Sequence, residues 1–330
     1  MKNLVLLLTL ALAAAQCSSA PPAPPTTAAA AAPPVAPLPP GFGNYWFRGK
    51  AELTSYALSQ ARYGELHAGE AVLIFVTEDF SRKKQVKLDK PETAGDDKVP
   101  VLKLNFEKKF NTGIYPYSLL TSVFVPLDAA RDPHPLKVTT SVQEWCGHVF
   151  TQLNLRKNQY AVSAKSYFEA DGDQETTLPL ALLEDELWSR LRLGPAALPT
   201  GPVQVVPATA YCRLLHQPLA ARAATAALLT GPALQTKDLE NRFGRVPVAA
   251  YSLEYPEPDF RILQIYFQPT FPYQILGWDE TYRDKPGTQT PVLLTTRASR
   301  RRILMLDYWR TNHNADAAWR DSLGLKSMGE

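Results

Sequence analysis

Residues 137–172 read KVTTSVQEWCGHVFTQLNLRKNQYAVSAKSYFEADG, and their pattern decides the fold class. Apolar and polar side chains alternate along 137–155 and again along 159–169, with β-branched and aromatic types prominent in both. A period of two belongs to strands, whose successive side chains point to opposite faces of a sheet. The alternation breaks at Gly147 and at Arg156-Lys157-Asn158, so the stretch holds two or three long strands. Asp171-Gly172 follows as a tight hairpin turn, because glycine accepts the positive φ such turns require.

Working outward, the same signature recurs. AVLIFVT (71–77), QVKLD (85–89), VPVLKLNF (99–106, after a turn at Gly95-Asp96-Asp97) and SLLTSVFV (118–125) read as strands. Beyond residue 172 the pattern changes. Leu180, Leu183, Leu187 and Leu191 stand at helical spacing, with Glu184, Asp185 and Glu186 ahead of Arg190 and Arg192, an order that complements a helix dipole. Gly194-Pro195 ends that predicted helix. Residues 203–215 return to strand character, and 218–229 form a predicted Ala-rich helix. Further strands are expected at 248–255, 260–268 and 273–278, and 307–323 closes the chain as a predicted amphipathic helix carrying Trp309 and Trp319.

About ten strands without regular strand–helix–strand alternation argue against a doubly wound parallel sheet. They favour a mainly β (α+β) fold, a large curved antiparallel sheet or open barrel with a few covering helices, as a single domain over 42–330. A subdivision near 170–180 is the competing reading.

Composition supports a packed body. The 330 residues are 45% hydrophobic and 10% aromatic, enough for a sizeable core. The 35 basic and 32 acidic residues leave a net charge of +3, without the basic excess of a nucleic-acid binder. Three cysteines with no CxxC pair do not make a disulfide framework or a zinc ribbon.

The N-terminus reads as an address. Lys2 precedes the stretch 4–15, apolar but for Thr9, which spans about 18 Å as a helix and is too short to cross a bilayer. Residues 1–16 therefore read as a signal peptide. Ala14-Ala15-Gln16-Cys17 resembles a lipobox, in which the cysteine thiol is acylated, although Gln16 stands where Gly, Ala or Ser is usual. Cleavage after Ala13-Ala14-Ala15 or Ser18-Ser19-Ala20 would instead release a soluble periplasmic or secreted protein. Residues 17–41 form a lipid-anchor cysteine and an Ala/Pro-rich tether: nine prolines within 21–40 fix φ and remove backbone donors, favouring a stiff polyproline II spacer.

Catalytic motifs are scarce. The stretch 43–50 (GNYWFRGK) lacks the spacing and the Ser or Thr of a phosphate-binding loop, and no GxSxG or HExxH motif occurs. If 137–155 is one strand, Glu144, Cys146 and His148 share a face while Trp145 and Val149 point away. That row is the candidate cluster for thiol or hydrolase chemistry, against a plainer reading in which Gly147 marks a bulge. Pairing of Cys146 with Cys212 is a further option that spacing leaves open. The acidic run 169–175 reads as a solvated hairpin tip, and the basic run 297–302 as a charged edge strand. No cofactor or metal is implied.

Four stretches carry a family resemblance: YWFRGKAELTSYALSQARYGELHAGEAVLIFVTEDF (45–80), VPVLKLNFEKKFNTGIYPYSLLTSVF (99–124), TTSVQEWCGHVFTQLN (139–154) and FPYQILGWDETY (271–282). Over most of 45–325 the chain resembles Gram-negative envelope lipoproteins of unknown function, some of which carry the name "septum formation inhibitor Maf". Maf nucleotide pyrophosphatases carry an early S-x-S-P-R-R segment that this chain lacks, so the name implies no catalytic residue here. The resulting expectation is an outer-membrane lipoprotein facing the periplasm. Cys17 is its lipid attachment, and its β-rich body binds an apolar ligand, a glycan or an envelope protein, with Trp46, Phe75, Tyr115, Tyr117, Trp278 and Tyr282 as candidate lining. Nucleic acid is not an expected partner.

Overall fold

A computed structural model describes residues 37–284 and 290–325. The signal peptide, Cys17 and the tether up to residue 36 lie outside the described residues. Eight strands form the first half: β1 (Ala51–Arg62), β2 (Glu65–Ser81), β3 (Lys98–Thr112), β4 (Tyr115–Pro126), β5 (Lys137–Glu144), β6 (Gly147–Arg156), β7 (Gln159–Lys165) and β8 (Gln174–Pro179). The second half adds β9 (Leu182–Leu183), β10 (Gly201–Val206), β11 (Arg222–Leu229), β12 (Ala249–Tyr255), β13 (Arg261–Phe267), β14 (Ile275–Asp284) and β15 (Val292–Leu306). Short helices punctuate them: α1 (Phe42–Trp46), α2 (Leu187–Leu193), α3 (Thr209–Leu214), α4 (Lys237–Phe243) and α5 (Ala318–Ser322).

All fifteen strands belong to one sheet, ordered β8-β7-β6-β5-β4-β3-β2-β1-β15-β14-β13-β12-β11-β10-β9. Neighbours are antiparallel except β9 and β10. The edge strands β8 and β9 are not paired to each other, yet only Leu180 and Ala181 separate them in the chain. The sheet therefore curls until its two edges meet, an open barrel with a seam. The mainly β expectation holds, with more and longer strands than the sequence pattern resolved.

Alternation explains the core. Leu102, Leu104 and Phe106 of β3, Val123 and Val125 of β4, and Leu253, Leu263 and Trp278 from the second half turn inward into one cluster. Outward partners such as Lys103 and Asn105 remain partly exposed. The β9–α2 segment fills the lumen: Leu187, Trp188 and Leu191 join that cluster, and the Trp188 ring meets Phe106 at 4.9 Å and Trp278 at 5.1 Å. Tyr56 packs on the same Trp278 ring at 4.9 Å.

Several expectations are corrected. The region 180–193 divides into an edge strand, a single 3-10 turn and the seven-residue α2. Its charges are buried rather than solvated, because each meets a partner in the lumen. Residues 203–215 contain the end of β10 and then α3, and the Ala-rich 218–229 forms β11, where Ala224 and Ala226 face inward and pairing with β10 and β12 overrides helix propensity. The 297–302 run lies in β15, a central strand, with a bulge where Ser55 faces Arg302 and Tyr56 faces Arg300. The 307–323 helix is reduced to 3-10 turns and α5. Finally, 137–155 reverses direction at Trp145-Cys146, since Glu144 pairs with Gly147. Gly147 opens β6 and marks no bulge.

Candidate functional site

Antiparallel order places one set of connections at a common end: the β1–β2, β3–β4, β5–β6 and β7–β8 hairpins and the β10–α3 link. Helix α3 closes this end from inside. Its first amide, at Thr209, donates to Asp185 Oδ2 at 3.0 Å, and the Thr209 and Thr140 hydroxyls are bonded to each other, so both the lumen segment and β5 hold the helix.

Two cavities flank α3. The smaller, about 40 Å³, lies toward β3, β13 and β14, with Lys108, Glu184, Arg261, Trp278 and Glu280 on its walls. At roughly 10–15 Å³ per water it has room for only a few solvent-sized molecules. The Arg261 guanidinium binds Glu184 in a fork and reaches Glu280 at 2.7 Å, while Tyr255 donates to Glu184 at 2.7 Å. Burial pushes the Asp185 carboxyl up to about 7 and holds the Lys108 ammonium below its usual range. Lys108 sits 4.9 Å over the Phe106 ring.

The larger cavity, about 350 Å³, is a cleft between the inner faces of β6–β8 and α3 with the segment that follows it. That volume lies within the range of small-molecule sites. Val149, Val162, Leu178 and Leu219 form its apolar floor, and Thr151, Ser166, Gln174, Thr176 and Gln217 supply neutral polar groups. Each of its basic side chains faces a carboxylate, and Arg213 Nε finds no partner among the described residues. Arg213 forms an ion pair with Glu144 and lies 4.3 Å over the Phe168 ring, and His216 Nδ1 lies 3.2 Å from Asp171 Oδ2. Cys212 also lines the cleft, but burial raises its thiol to about 12, so it stays protonated and a poor nucleophile.

The sequence-derived row is taken apart. Glu144 points inward to Arg213, Cys146 sits exposed in the turn with its amide donating to Tyr115 Oη at 2.6 Å, and His148, opposite Gln143, lies on the outer face. Cys146 and Cys212 are both free. Residues 169–173 of the acidic run lie in the β7–β8 connection, where Asp171 holds His216, and 174–175 open β8. Of the six aromatic residues expected to line a site, Trp46, Phe75, Tyr117, Trp278 and Tyr282 are buried core, and Trp278 and Tyr282 touch only the smaller cavity. Tyr115 is half-buried at the hairpin end. Sequence reading missed Thr151 and Thr176, although hydroxyl residues on the inward phase of otherwise apolar strands were the available signal. Among the described residues no His/Cys/Asp/Glu group is arranged to hold a metal ion, and no helix is long and apolar enough to cross a membrane.

No family model and no curated protein matches the chain. Among solved structures it is similar to a crystal structure of a beta-barrel-like protein of domain of unknown function DUF1849 from Brucella abortus. That similarity covers 78% of this chain and 97% of that one, at 9% identity and a TM-score of 0.43.

Proposed function

We propose that this chain is an exported envelope lipoprotein whose barrel is a non-enzymatic binding domain, with the cleft beside α3 as its ligand site. The observation that carries the reading is that cleft. It has about 350 Å³ of mixed apolar and hydroxyl lining, and its thiol, imidazole and guanidinium are each neutral or already paired. Such a surface binds, and it presents no group poised for nucleophilic attack.

The leader and the lipobox-like Cys17 support export and anchoring, with the protein facing the periplasm from the outer membrane. The described chain enters the barrel at Ala51, the end opposite α3. Replacing Cys17 with Ala moves the protein from the membrane to the soluble fraction; unchanged membrane association refutes the anchor. Native mass spectrometry of that variant tests the binding role. A discrete adduct of lipid, glycan or peptide mass is the expected result, and a clean apo mass counts against a ligand domain.

A further inference from the structure

The α3 end carries an exposed aromatic surface. Trp145 at the β5–β6 turn is 64% exposed and Tyr167 in the β7–β8 connection is 65% exposed. Neither is loosely placed. The Tyr167 ring lies across residue 147, where any Cβ would overlap it, so only glycine lets the ring settle there. Trp145 packs against Tyr115 with ring centroids 5.9 Å apart, and Tyr167 meets Phe168 at 5.3 Å. Phe168 in turn stacks edge-on against His216, at the cleft wall, at 5.1 Å. Phe168 and His216 thus link Tyr167 to the wall of the 350 Å³ cleft, and Trp145 stands two residues before the Gly147 on which Tyr167 rests. Fixed and exposed, Tyr167 and Trp145 hold large apolar faces in water, which a folded chain otherwise minimises.

Resting on the cleft as the ligand site, we propose that its ligand is an uncharged oligosaccharide, stacked on Tyr167 and Trp145 and hydrogen-bonded inside by the cleft's hydroxyl and amide groups. A pyranose ring has an apolar face of C–H bonds and a rim of hydroxyls. It therefore needs a flat aromatic face on one side and neutral donors and acceptors at its edge. The cleft offers that set. Thr151, Ser166, Gln174, Thr176 and Gln217 line it, Arg213 and His216 already face the Glu144 and Asp171 carboxylates of this chain, and Arg213 Nε is left as one buried donor without a partner. A bilayer is disfavoured by the carboxylates at the same end, with Glu65, Glu169 and Asp173 all exposed.

The test uses the full chain bearing Cys17→Ala, titrated calorimetrically with tetrasaccharides of N-acetylglucosamine, β-1,4-glucose and α-1,4-glucose at millimolar concentration. At least one binds saturably. Tyr167→Ala and Trp145→Ala each weaken it about five- to tenfold, the scale of a lost aromatic contact, with the melting temperature unchanged because both side chains are exposed. Failure of all three sugars, or affinity that both substitutions leave intact, overturns the proposal. Binding to phosphatidylcholine vesicles that both substitutions abolish, without sugar binding, overturns it in favour of a membrane. If no sugar binds but the native spectrum shows a lipid adduct, only the sugar assignment falls. A clean apo mass as well removes the ligand site itself.

Discussion

Asp185 shows how one residue couples the lumen to the cleft. It is buried, its carboxyl is raised from 3.8 to about 7 by that burial, and it accepts the first amide of α3. A raised acid pKa means the folded protein holds a proton that the unfolded chain has released. Stability from this residue is therefore greatest below about pH 4, falls as pH rises toward 7, and is level beyond. Asp185→Asn keeps an acceptor for Thr209 and removes the titration. Urea unfolding between pH 4 and 8 is expected to show a flatter profile in the variant than in the parent; an identical slope sinks the assignment. No sequence pattern exposed this role, because an acid at the start of an apparent helix reads as a solvated partner of the dipole. The Glu144, Cys146 and His148 row failed for a related reason: alternation gives the face only while the strand continues, and Trp145-Cys146 is where it turns back.

Among elements, the β9–α2 segment is the one whose chemistry most departs from its pattern. Its leucines at helical spacing did announce apolar burial, and Leu183, Leu187 and Leu191 are in the core. Its charges announced the opposite and are buried too: Glu184 on Arg261, Glu186 on Arg190, and Arg192 on Glu52. Such pairs add little net stability over apolar replacements, but breaking one is costly. Arg261→Met leaves Glu184 and Glu280 without their shared cation and is expected to cost about 3–5 kcal/mol in urea denaturation. A loss below about 1 kcal/mol would show that the triad does not pin the segment. Strand period was legible wherever a hairpin has one face inward, as in β3 to β7. It failed at β11 and in the region after β15, where composition favoured helix and only tertiary pairing or short turns decide the outcome.

For the whole molecule, the continuous sheet bears on the subdivision near 170–180. The two halves share one core cluster and are joined by the β1–β15 ladder as well as by the chain. Calorimetry is expected to give a single transition with matching calorimetric and van't Hoff enthalpies; two resolved transitions would show that the halves fold apart.

That ladder also orders events during synthesis. Each strand from β2 to β8 emerges beside a partner already made, and so does each from β10 to β15, but β1 waits with one flank bare until the final strand of the described chain arrives. A bare flank of twelve residues is an invitation to foreign strands, and it stays unpaired until β15 has been made. β15 thus acts as a latch on a door left ajar since the first strand, and any delay in making or delivering it prolongs the interval in which the nascent chain can pair with the wrong neighbour.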